Sequence, residues 1–359
     1  MSDIIVIGGG IAGISAGARL SHLGRVTVLE RESSLAYHAS GRSAALFEAT
    51  YGSDTVVALN RASADYHQHA NGGVTSPRGT MLVGSAALQD SFEAEVRKTG
   101  LRRLDPDEAR ALFPILNDAH APFAAHDPKA WDLDTDRLIQ NFARELRDNG
   151  GQIVTGAEVT AIRRTATGWD VTTPKGDFAG ALLVNAAGAW VDKVAGLAGI
   201  APIGFTPLRR SMARIPAPGG LDTSRWPMVF GANDLWYCKP DAGALIVSPS
   251  EEDPAEPHDA WPDDMVLAEG LARYEEAVTE PVTRLLASWA GLRTFAPDRT
   301  LVIGPSPEDA GFLWFAGQGG YGFQTAPAAS ALLADIVAAR PPEIGAELAG
   351  ALSPTRFGA

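Results

Sequence analysis

Hydrophobic residues at the start of the chain follow a strand–helix–strand order. Ile4–Ile7 is a fully apolar run of β-branched residues, which is typical of a buried parallel strand. After the glycine-rich turn Gly8–Gly13, apolar residues recur at helical spacing to about Leu23, and Gly24 is expected to end that helix. The alternating segment Arg25–Glu30 then predicts a second strand. The chain therefore opens with a βαβ unit.

The middle of the chain carries the shorter apolar runs of antiparallel sheet. Thr80–Val83 and Trp226–Ser248 predict antiparallel strands, and the apolar runs on either side of the turn Pro240–Gly243 predict a hairpin. The other predicted elements are a helix over Asp134–Asp148, strands over Gln152–Val154, Glu158–Arg163, Gly168–Thr173 and Leu182–Asn185, a surface loop over Glu252–Asp264, and a helix over Ala326–Ala339 with Thr325 as its cap and Pro327 in its first turn. The predicted fold class is α/β (α+β overall), a Rossmann-like domain with inserted antiparallel sheet that covers it.

Composition and charge narrow the possible partners. A chain of 359 residues suggests roughly two domains, and its net charge of −13 disfavours nucleic acid as a partner. Its one cysteine, Cys238, excludes an internal disulfide and a cysteine-based metal cluster, and the histidines lack metal spacing, so no metal is predicted. No transmembrane segment or signal peptide is predicted. We expect a cytoplasmic protein, with peripheral attachment at the inner membrane left open.

Three glycines and one acid predict a dinucleotide site. Gly8 permits the tight turn, Gly10 lets backbone N–H groups approach a pyrophosphate, and Gly13 lets helix and strand pack closely. Glu30 ends the second strand, where a carboxylate accepts hydrogen bonds from a ribose and repels a 2′-phosphate. A tight strand–helix turn also selects glycine, but the strand, helix and terminal acid together favour nucleotide binding. The glycines alone do not distinguish FAD from NAD.

Three further segments carry a resemblance to a known family. Tyr37–Ser43 follows the second strand, Asn185–Trp190 ends a later strand, and Gly317–Thr325 precedes the last predicted helix. Together they resemble the D-amino-acid oxidase superfamily of FAD-dependent oxidoreductases, most of all the bacterial D-arginine and D-amino-acid dehydrogenases. The resemblance covers essentially the whole chain and includes Trp226–Pro227, Lys239–Gly243 and Trp289–Arg293.

The resemblance implies FAD extended across the Rossmann-like domain, with the flavin at the boundary to the substrate domain. It places the FAD-binding domain at residues 1–75, 135–205 and 292–359, and the substrate-binding domain at 76–134 and 206–291. His38 has a spacing at which related dehydrogenases attach flavin covalently, yet the nearest relatives carry it without that bond, so noncovalent FAD is expected. The candidate cofactor-binding residues are Gly8, Gly10, Ile11, Ala12, Gly13, Glu30, Arg31, Gly41, Arg42, Ser43, Ala44, Val159, Ala187, Gly188, Trp190, Gly319, Gly320, Tyr321, Gly322, Phe323, Gln324 and Thr325.

The same resemblance implies a clamp for the substrate carboxylate. Arg210 and Arg293 match positions that bind the carboxylate, assisted by Tyr237, and arginine suits this role because its planar fork binds a carboxylate bidentately. A surface ion pair is the competing interpretation for each arginine. Tyr51 matches a tyrosine of the loop over the site, although packing would also explain it. Gly320 matches a backbone carbonyl that receives the substrate amine.

Departures from the family pattern predict the side-chain preference. Leu46 and Thr80 stand where D-arginine dehydrogenase has polar partners, so neutral or apolar substrates are expected over basic ones. Glu48 would restore a cation site if it pointed inward, but a glutamate usually faces solvent. Arg209 is assigned to a surface ion pair, and His258 is expected to be solvated.

The sequence therefore predicts FAD-dependent oxidative deamination of a D-amino acid, with hydride transfer from Cα to flavin N5. The product imine would hydrolyse to a 2-oxo acid and ammonia. The alternatives are oxidation of an N-substituted or cyclic amino acid (opine, sarcosine or proline type), a flavin-binding sensor without turnover, and an NAD-dependent dehydrogenase. The electron acceptor (quinone, carrier protein or oxygen) and the oligomeric state are left open.

Overall fold

Twenty-one strands and nine α-helices make up residues 3–358, the part of the chain that the computed structural model describes. The strands are β1 Ile4–Ile7, β2 Val26–Leu29, β3 Leu46–Glu48, β4 Thr75–Pro77, β5 Thr80–Gly84, β6 Arg102–Leu104, β7 Phe123–Asp127, β8 Ala130–Leu133, β9 Gln152–Val154, β10 Ala161–Thr165, β11 Gly168–Thr173, β12 Gly176–Gly180, β13 Leu182–Asn185, β14 Thr206–Pro216, β15 Met228–Gly231, β16 Tyr237–Asp241, β17 Ala244–Ser248, β18 Asp253–Pro254, β19 Ala287–Phe295, β20 Val302–Pro305 and β21 Phe312–Ala316. The helices are α1 Ile11–Leu20, α2 Asp54–His69, α3 Gln89–Thr99, α4 Pro106–Leu112, α5 Thr135–Asp148, α6 Val191–Leu197, α7 Asp264–Glu276, α8 Gly322–Val337 and α9 Ala346–Leu352. None of these helices combines the length and the hydropathy needed to cross a bilayer.

A six-stranded sheet organises the nucleotide-binding part in the order β20-β21-β13-β1-β2-β9. Its strands run parallel except β20, which pairs antiparallel with β21. The central strand β1 is buried along its whole length because α1, α5 and α8 cover one face, while the sheet β10-β11-β12 and α6 cover the other. This three-layer arrangement confirms the Rossmann-like prediction, and it brings the carboxyl ends of β1, β2 and β13 to one edge.

A nine-stranded sheet forms the second large layer, in the order β18-β14-β17-β16-β15-β5-β7-β6, with β19 paired to β14. The predicted hairpin is present: β16 and β17 pair through a turn in which Ala242 and Gly243 adopt φ of 44° and 77°. Positive φ at both central residues matches the right-handed twist of the strands. The antiparallel prediction fails at one point, because β5 and β15 pair in parallel. These strands lie far apart in the chain, so no hairpin sets their direction.

Two further elements brace the site from the side. The small sheet β3-β8-β4 holds the segment around Leu46, and α2 packs along α8. Three polar side chains of α2, namely Asn60, Ser63 and His67, are buried in this contact, at positions that share one helix face. The segment before α2 and the start of α8 are therefore held by one helix.

The start of α8 differs from the prediction. The helix begins at Gly322, one turn earlier than expected, and Thr325 lies inside it, where its hydroxyl donates to the Tyr321 carbonyl at 2.9 Å. Pro327 also lies inside the helix and leaves a gap in its hydrogen-bond ladder. Ser63 of α2 accepts from Ala328 N at 3.1 Å, so α2 bonds the backbone of α8 directly beside Pro327.

Two other boundaries moved for local reasons. Helix α1 ends at Leu20 and not near Leu23, because the Ser21 hydroxyl bonds the Ala18 carbonyl at 2.6 Å and competes with the helix ladder. The strand expected over Glu158–Arg163 starts only at Ala161, since residues 158 and 159 turn towards a cavity. The helix over Asp134–Asp148 is confirmed, with Asp134 as its cap.

Candidate active site

Three adjoining cavities run across the edge of the six-stranded sheet towards the nine-stranded one. We call them the wide cavity, of about 420 Å³, the middle cavity, of about 130 Å³, and the small cavity, of about 60 Å³. The wide and middle cavities share Gly10, Ser40, Arg42 and Gly188 among their walls, and the middle and small cavities share Ser43, Arg210, Arg293, Gly320 and Phe323. The three therefore form one elongated channel.

The glycine turn closes one end of the wide cavity. Gly8 has φ of 114°, and a Cβ there would overlap the Ala186 carbonyl, so only glycine fits. A Cβ at Gly13 would overlap the Gly8 carbonyl, which shows how closely α1 packs on the end of β1. The N-terminus of α1 points its positive dipole end at this region, where Ile11 N donates to the Ser40 hydroxyl at 3.0 Å.

Glu30 stands beside the turn in the geometry of a ribose-binding acid. It lines the wide cavity and is only 7% exposed. Its carboxylate accepts from Gly9 N at 2.5 Å and from Glu32 N at 2.7 Å. Burial raises the pKa of Glu30, while these two backbone hydrogen bonds act to lower it.

The walls of the channel fit an FAD. Gly188 has φ of 55°, lines the wide and middle cavities, and has open space where a Cβ would stand. A side chain there would fill room that an elongated cofactor needs. The start of α8 lines the middle cavity through Gly322 and Phe323, so a second helix N-terminus faces the channel. The residues present thus supply two helix dipoles, a ribose acceptor and a continuous cleft.

Arg42 lines the channel, but its charge is used within the protein. Its guanidinium donates to the carbonyls of Ala260 and Ala290 at 2.9 and 2.8 Å and pairs with Asp259 at 2.5 Å. Arg42 therefore connects its own segment, Tyr37–Ser43, to the loop after β18 and to strand β19. Its guanidinium holds these segments together and is not free to bind a phosphate.

Two arginines face the small cavity from neighbouring strands. Leu208 of β14 pairs with Arg293 of β19, so Arg210, two residues further along β14, lies on the same face and diagonally opposite Arg293. Arg210 is anchored by a bond to the Glu251 carbonyl at 2.9 Å and a contact with Glu252 at 3.4 Å. Burial and then the charge of Arg293 lower the pKa of Arg210.

The guanidinium of Arg293 has no hydrogen bond or ion pair with any residue between 3 and 358. The backbone of Gly320 lies against its guanidinium, since a Cβ there would stand 3.0 Å from Nη1. Two guanidinium groups that repel each other in one small cavity form a site for an anion.

Two phenols complete the small cavity. Tyr51 packs on Tyr321 with ring centroids 5.5 Å apart, and Tyr237 is 3% exposed beside Met212. Burial raises the pKa of Tyr51, although the charge of Arg293 acts to lower it. Tyr51 is therefore a protonated hydrogen-bond donor at neutral pH.

Most predicted site residues line the channel. The wide cavity includes Gly8, Gly10, Glu30, Arg31, Arg42, Val159, Ala187, Gly188 and Trp190. The middle cavity adds Ile11, Ala12, Ser43, Gly319, Gly320, Gly322 and Phe323. The small cavity adds Ala44, Leu46, Glu48, Tyr51, Tyr237 and Gln324. Those that line none of the three are Gly13, Gly41, Thr80, Tyr321 and Thr325.

One sequence expectation about exposure was wrong, and two other expectations hold. Glu48 does not face solvent: it is 8% exposed and lines the small cavity. His258 lines the wide cavity and packs against Trp261. Arg209 forms the expected ion pair, with Asp253 at 2.9 Å, and Cys238 is buried in β16 as expected.

Sequence reasoning missed four residues around the small cavity. Met228 and Phe230 line it from alternate positions of β15, and Asp234 lines it from the following loop. Lys239 pairs with Asp132 at 2.9 Å and donates to the Ala44 carbonyl at 2.6 Å, so it holds the segment that carries Leu46. The alternation in β15 was a usable signal, whereas nothing local marks Asp234.

Comparison with known proteins gives consistent matches across the chain. A family model described as "DAO: FAD dependent oxidoreductase" matches residues 3–336. The chain is 25% identical over 395 residues to FAD-dependent oxidoreductase domain-containing protein 1 of Bos taurus, which covers 94% of this chain and 81% of that protein. Among solved structures, glycine oxidase from Geobacillus kaustophilus matches with a TM-score of 0.79 at 24% identity, covering 94% of this chain and 95% of that one. L-proline dehydrogenase from P. horikoshii matches with a TM-score of 0.83 at 21% identity, covering 99% and 97%.

Proposed function

The chain belongs to the DAO family of FAD-dependent oxidoreductases, and from this premise we propose that it oxidises a D-amino acid to the corresponding imino acid. FAD, when bound, supplies the hydride acceptor. The substrate loses a hydride from Cα and a proton from its nitrogen, and water then hydrolyses the C=N bond to give a 2-oxo acid and ammonia. The D configuration rests on the resemblance of the channel segments and the substrate part to D-amino-acid dehydrogenases.

One observation carries the proposal: Arg210 and Arg293 meet in a small cavity that opens into the dinucleotide channel. The Arg293 guanidinium forms no hydrogen bond or ion pair among residues 3–358, so a substrate carboxylate could accept its N–H groups. Tyr51 and Tyr237 add hydroxyl donors to the same cavity. A sensor that only bound flavin would need no such anion site.

The remaining substrate groups have places in the same cavity. We propose that the Gly320 carbonyl receives the amine, since this backbone lies against the Arg293 guanidinium. Holding carboxylate and amine together fixes the Cα–H bond, and such positioning supplies much of the rate. We assign no side chain as general base, so water takes the amine proton.

We propose that FAD is bound without a covalent link. His38 lines the wide cavity, bonded to Glu32 at 2.9 Å and packed on Trp190 at 4.7 Å, and it is absent from the walls of the middle cavity. It thus stands near the ribose-binding acid Glu30. The start of α8, which faces the middle cavity, marks the expected place of the flavin ring.

The test is anaerobic bleaching of the flavin absorbance by a panel of D-, L- and N-alkyl amino acids. Fast bleaching by D enantiomers, with L enantiomers at least tenfold slower, supports the proposal. Bleaching by L or N-alkyl compounds alone would contradict it. Retained flavin absorbance after purification separately excludes an NAD-dependent enzyme.

A second candidate is oxidation of an N-substituted or cyclic amino acid. The similarity over 99% of the chain to a solved L-proline dehydrogenase favours it. The carboxylate clamp would be the same, while the nitrogen end would accept a secondary amine. Proline and sarcosine in the same panel distinguish the two.

A further inference from the structure

The short strand β3 directs Glu48 into the small cavity. Side chains alternate along a strand, and Phe47 points into the core, 5.1 Å from the His67 ring and 6.1 Å from Trp131. Leu46 and Glu48 therefore share the opposite face, and both line the small cavity. Leu46 packs there against a cluster that contains Tyr237.

The carboxylate of Glu48 has no cationic partner in the described part of the chain. Its one hydrogen bond comes from the Thr50 hydroxyl at 3.2 Å, and no lysine, arginine or histidine of residues 3–358 pairs with it. Burial, with a smaller contribution from the charge of Asp127, raises the pKa of Glu48 to about 7. A buried acid without a counter-charge is costly, and a cation in the cavity would offset that cost.

A second acidic residue lines the small cavity, and a buried hydroxyl lies in the sheet beside it. Asp234 lines the small cavity from the loop after β15. Thr80 pairs in parallel with Met228, which lines the cavity, so its side chain shares that face of the sheet. Its hydroxyl is buried without a hydrogen-bond partner. The small cavity is thus cationic on the Arg210 and Arg293 wall and anionic on the Glu48 wall.

We propose that Glu48 binds a positively charged side chain of the substrate, so that the preferred amino acids carry a guanidinium or ammonium group beyond the α-amine. This inference rests on the proposed function and reverses the preference expected from Leu46 and Thr80. A ligand with a carboxylate at one end and a cation at the other matches both charged walls of the cavity. Asp234, which is exposed at the mouth, adds attraction for the same cation.

The test compares matched pairs of substrates that differ in charge. Steady-state kcat/KM is measured for D-arginine against D-citrulline, and for D-lysine against D-norleucine, in the wild type and in Glu48→Gln. In the wild type we expect kcat/KM to be at least about tenfold higher for the charged member of each pair. A hydrogen bond to a charged group is worth enough that Glu48→Gln should lower this ratio about ten- to a hundredfold. Glu48→Asp should restore part of it.

Glu93→Gln is the matched control, because it removes a carboxylate that pairs with Arg103 on the surface of α3. It should leave the ratio unchanged. The inference is overturned if citrulline and norleucine are oxidised as well as the charged substrates. It is also overturned if Glu48→Gln lowers kcat/KM for both members of a pair equally, since Glu48 would then act at the α-amine.

A binding measurement separates this inference from the proposed function. The probes are 5-guanidinopentanoate and hexanoate, which carry a carboxylate but no α-amine, and their Kd is read from perturbation of the flavin absorbance. Tighter binding of the guanidino compound by the wild type, lost in Glu48→Gln, supports the cation site even if no amino acid bleaches the flavin. If the wild type and Glu48→Gln bind 5-guanidinopentanoate with the same Kd, the inference is overturned.

Discussion

At the scale of single residues, the small cavity places two guanidinium groups against two phenols. Arg210 is anchored by Glu251 and Glu252 in the loop between β17 and β18, whereas the Arg293 side chain is held only by packing and by its strand. This asymmetry gives the two arginines different tasks. We propose that Arg210 shapes the cavity and that Arg293 forms the bidentate pair with a carboxylate.

Replacing Arg293 by Met should therefore cost about 2–5 kcal/mol of transition-state stabilisation, because a buried carboxylate loses its charged partner. The measurement is kcat/KM for the substrate that bleaches the flavin fastest, with the flavin content checked by absorbance. Arg209→Met is the control, since Arg209, the neighbour of Arg210 in β14, pairs with Asp253 and lines none of the three cavities. If both variants lose the same small factor, Arg293 is a structural residue.

His38 is the residue that would carry the flavin if the cofactor were attached covalently. Because His38 bonds Glu32 at the ribose end of the channel, we expect acid precipitation of the holoprotein to release all the yellow colour into the supernatant. His38→Ala should behave in the same way. Colour in the wild-type pellet that is absent from the His38→Ala pellet would establish a covalent bond.

At the scale of elements, α2 bonds the start of α8, the helix that faces the middle cavity. Pro327 interrupts the ladder of α8, and α2 bonds the backbone on both sides of it: His67 Nε2 donates to the Gln324 carbonyl at 2.9 Å, and Ser63 accepts from Ala328 N at 3.1 Å. Asn60 donates to the carbonyls of Glu48 and Tyr51 at 3.3 and 3.0 Å. One helix thus sets both the helix start at the flavin and the segment that carries Glu48.

This contact predicts a pH dependence of stability. Burial lowers the pKa of His67 to about 4, below its unfolded value near 6.5, so below pH 6.5 the unfolded state binds a proton that the folded state does not. The free energy of unfolding should fall by about 2–3 kcal/mol more between pH 7 and pH 4.5 in the wild type than in His67→Gln. Urea unfolding at both pH values measures this difference.

His69→Gln is the control for that experiment, because His69 lies on the same helix but is exposed beside Asp65. Its pH dependence should match the wild type. Equal pH dependence in His67→Gln and the wild type would mean that His67 is protonated in the folded protein.

At the scale of the whole molecule, the channel lies where the two large sheets meet. The six-stranded sheet supplies the glycine turn and Glu30, while β14 and β19 of the nine-stranded sheet supply Arg210 and Arg293. A cofactor in the channel would contact both layers at once. Its binding should therefore stabilise both layers together. The part of the cofactor in the wide cavity should contribute most of the binding free energy.

Adding FAD to the protein freed of flavin should raise the free energy of unfolding by about 2.7 kcal/mol at a hundred times its Kd, because the ligand binds only the folded state. FMN, which lacks the adenylate half that the wide cavity would hold, should give a smaller rise in Tm at the same concentration. Thermal unfolding with each flavin measures the effect. Equal shifts would show that the wide cavity does not bind the adenylate.

The sequence by itself determined the βαβ opening, the hairpin β16–β17 and the helix after Asp134. These elements are encoded by neighbouring residues: apolar periodicity, a turn that needs positive φ, and a capping side chain. The glycine turn and Glu30 could be named for the same reason, since they stand in a recognisable local segment, whereas Arg210 and Arg293 were named from the resemblance to known dehydrogenases.

Only the tertiary structure decided where α8 begins, how β5 and β15 pair, and which way Glu48 points. Ser63 and His67 bond the backbone of α8 beside Pro327, and they lie more than two hundred residues away in the chain. Glu48 turns inward because Phe47 takes the core-facing position of β3, and its surroundings come from β14, β15 and β19. Such choices depend on packing and desolvation between distant segments, and no local pattern contains that information.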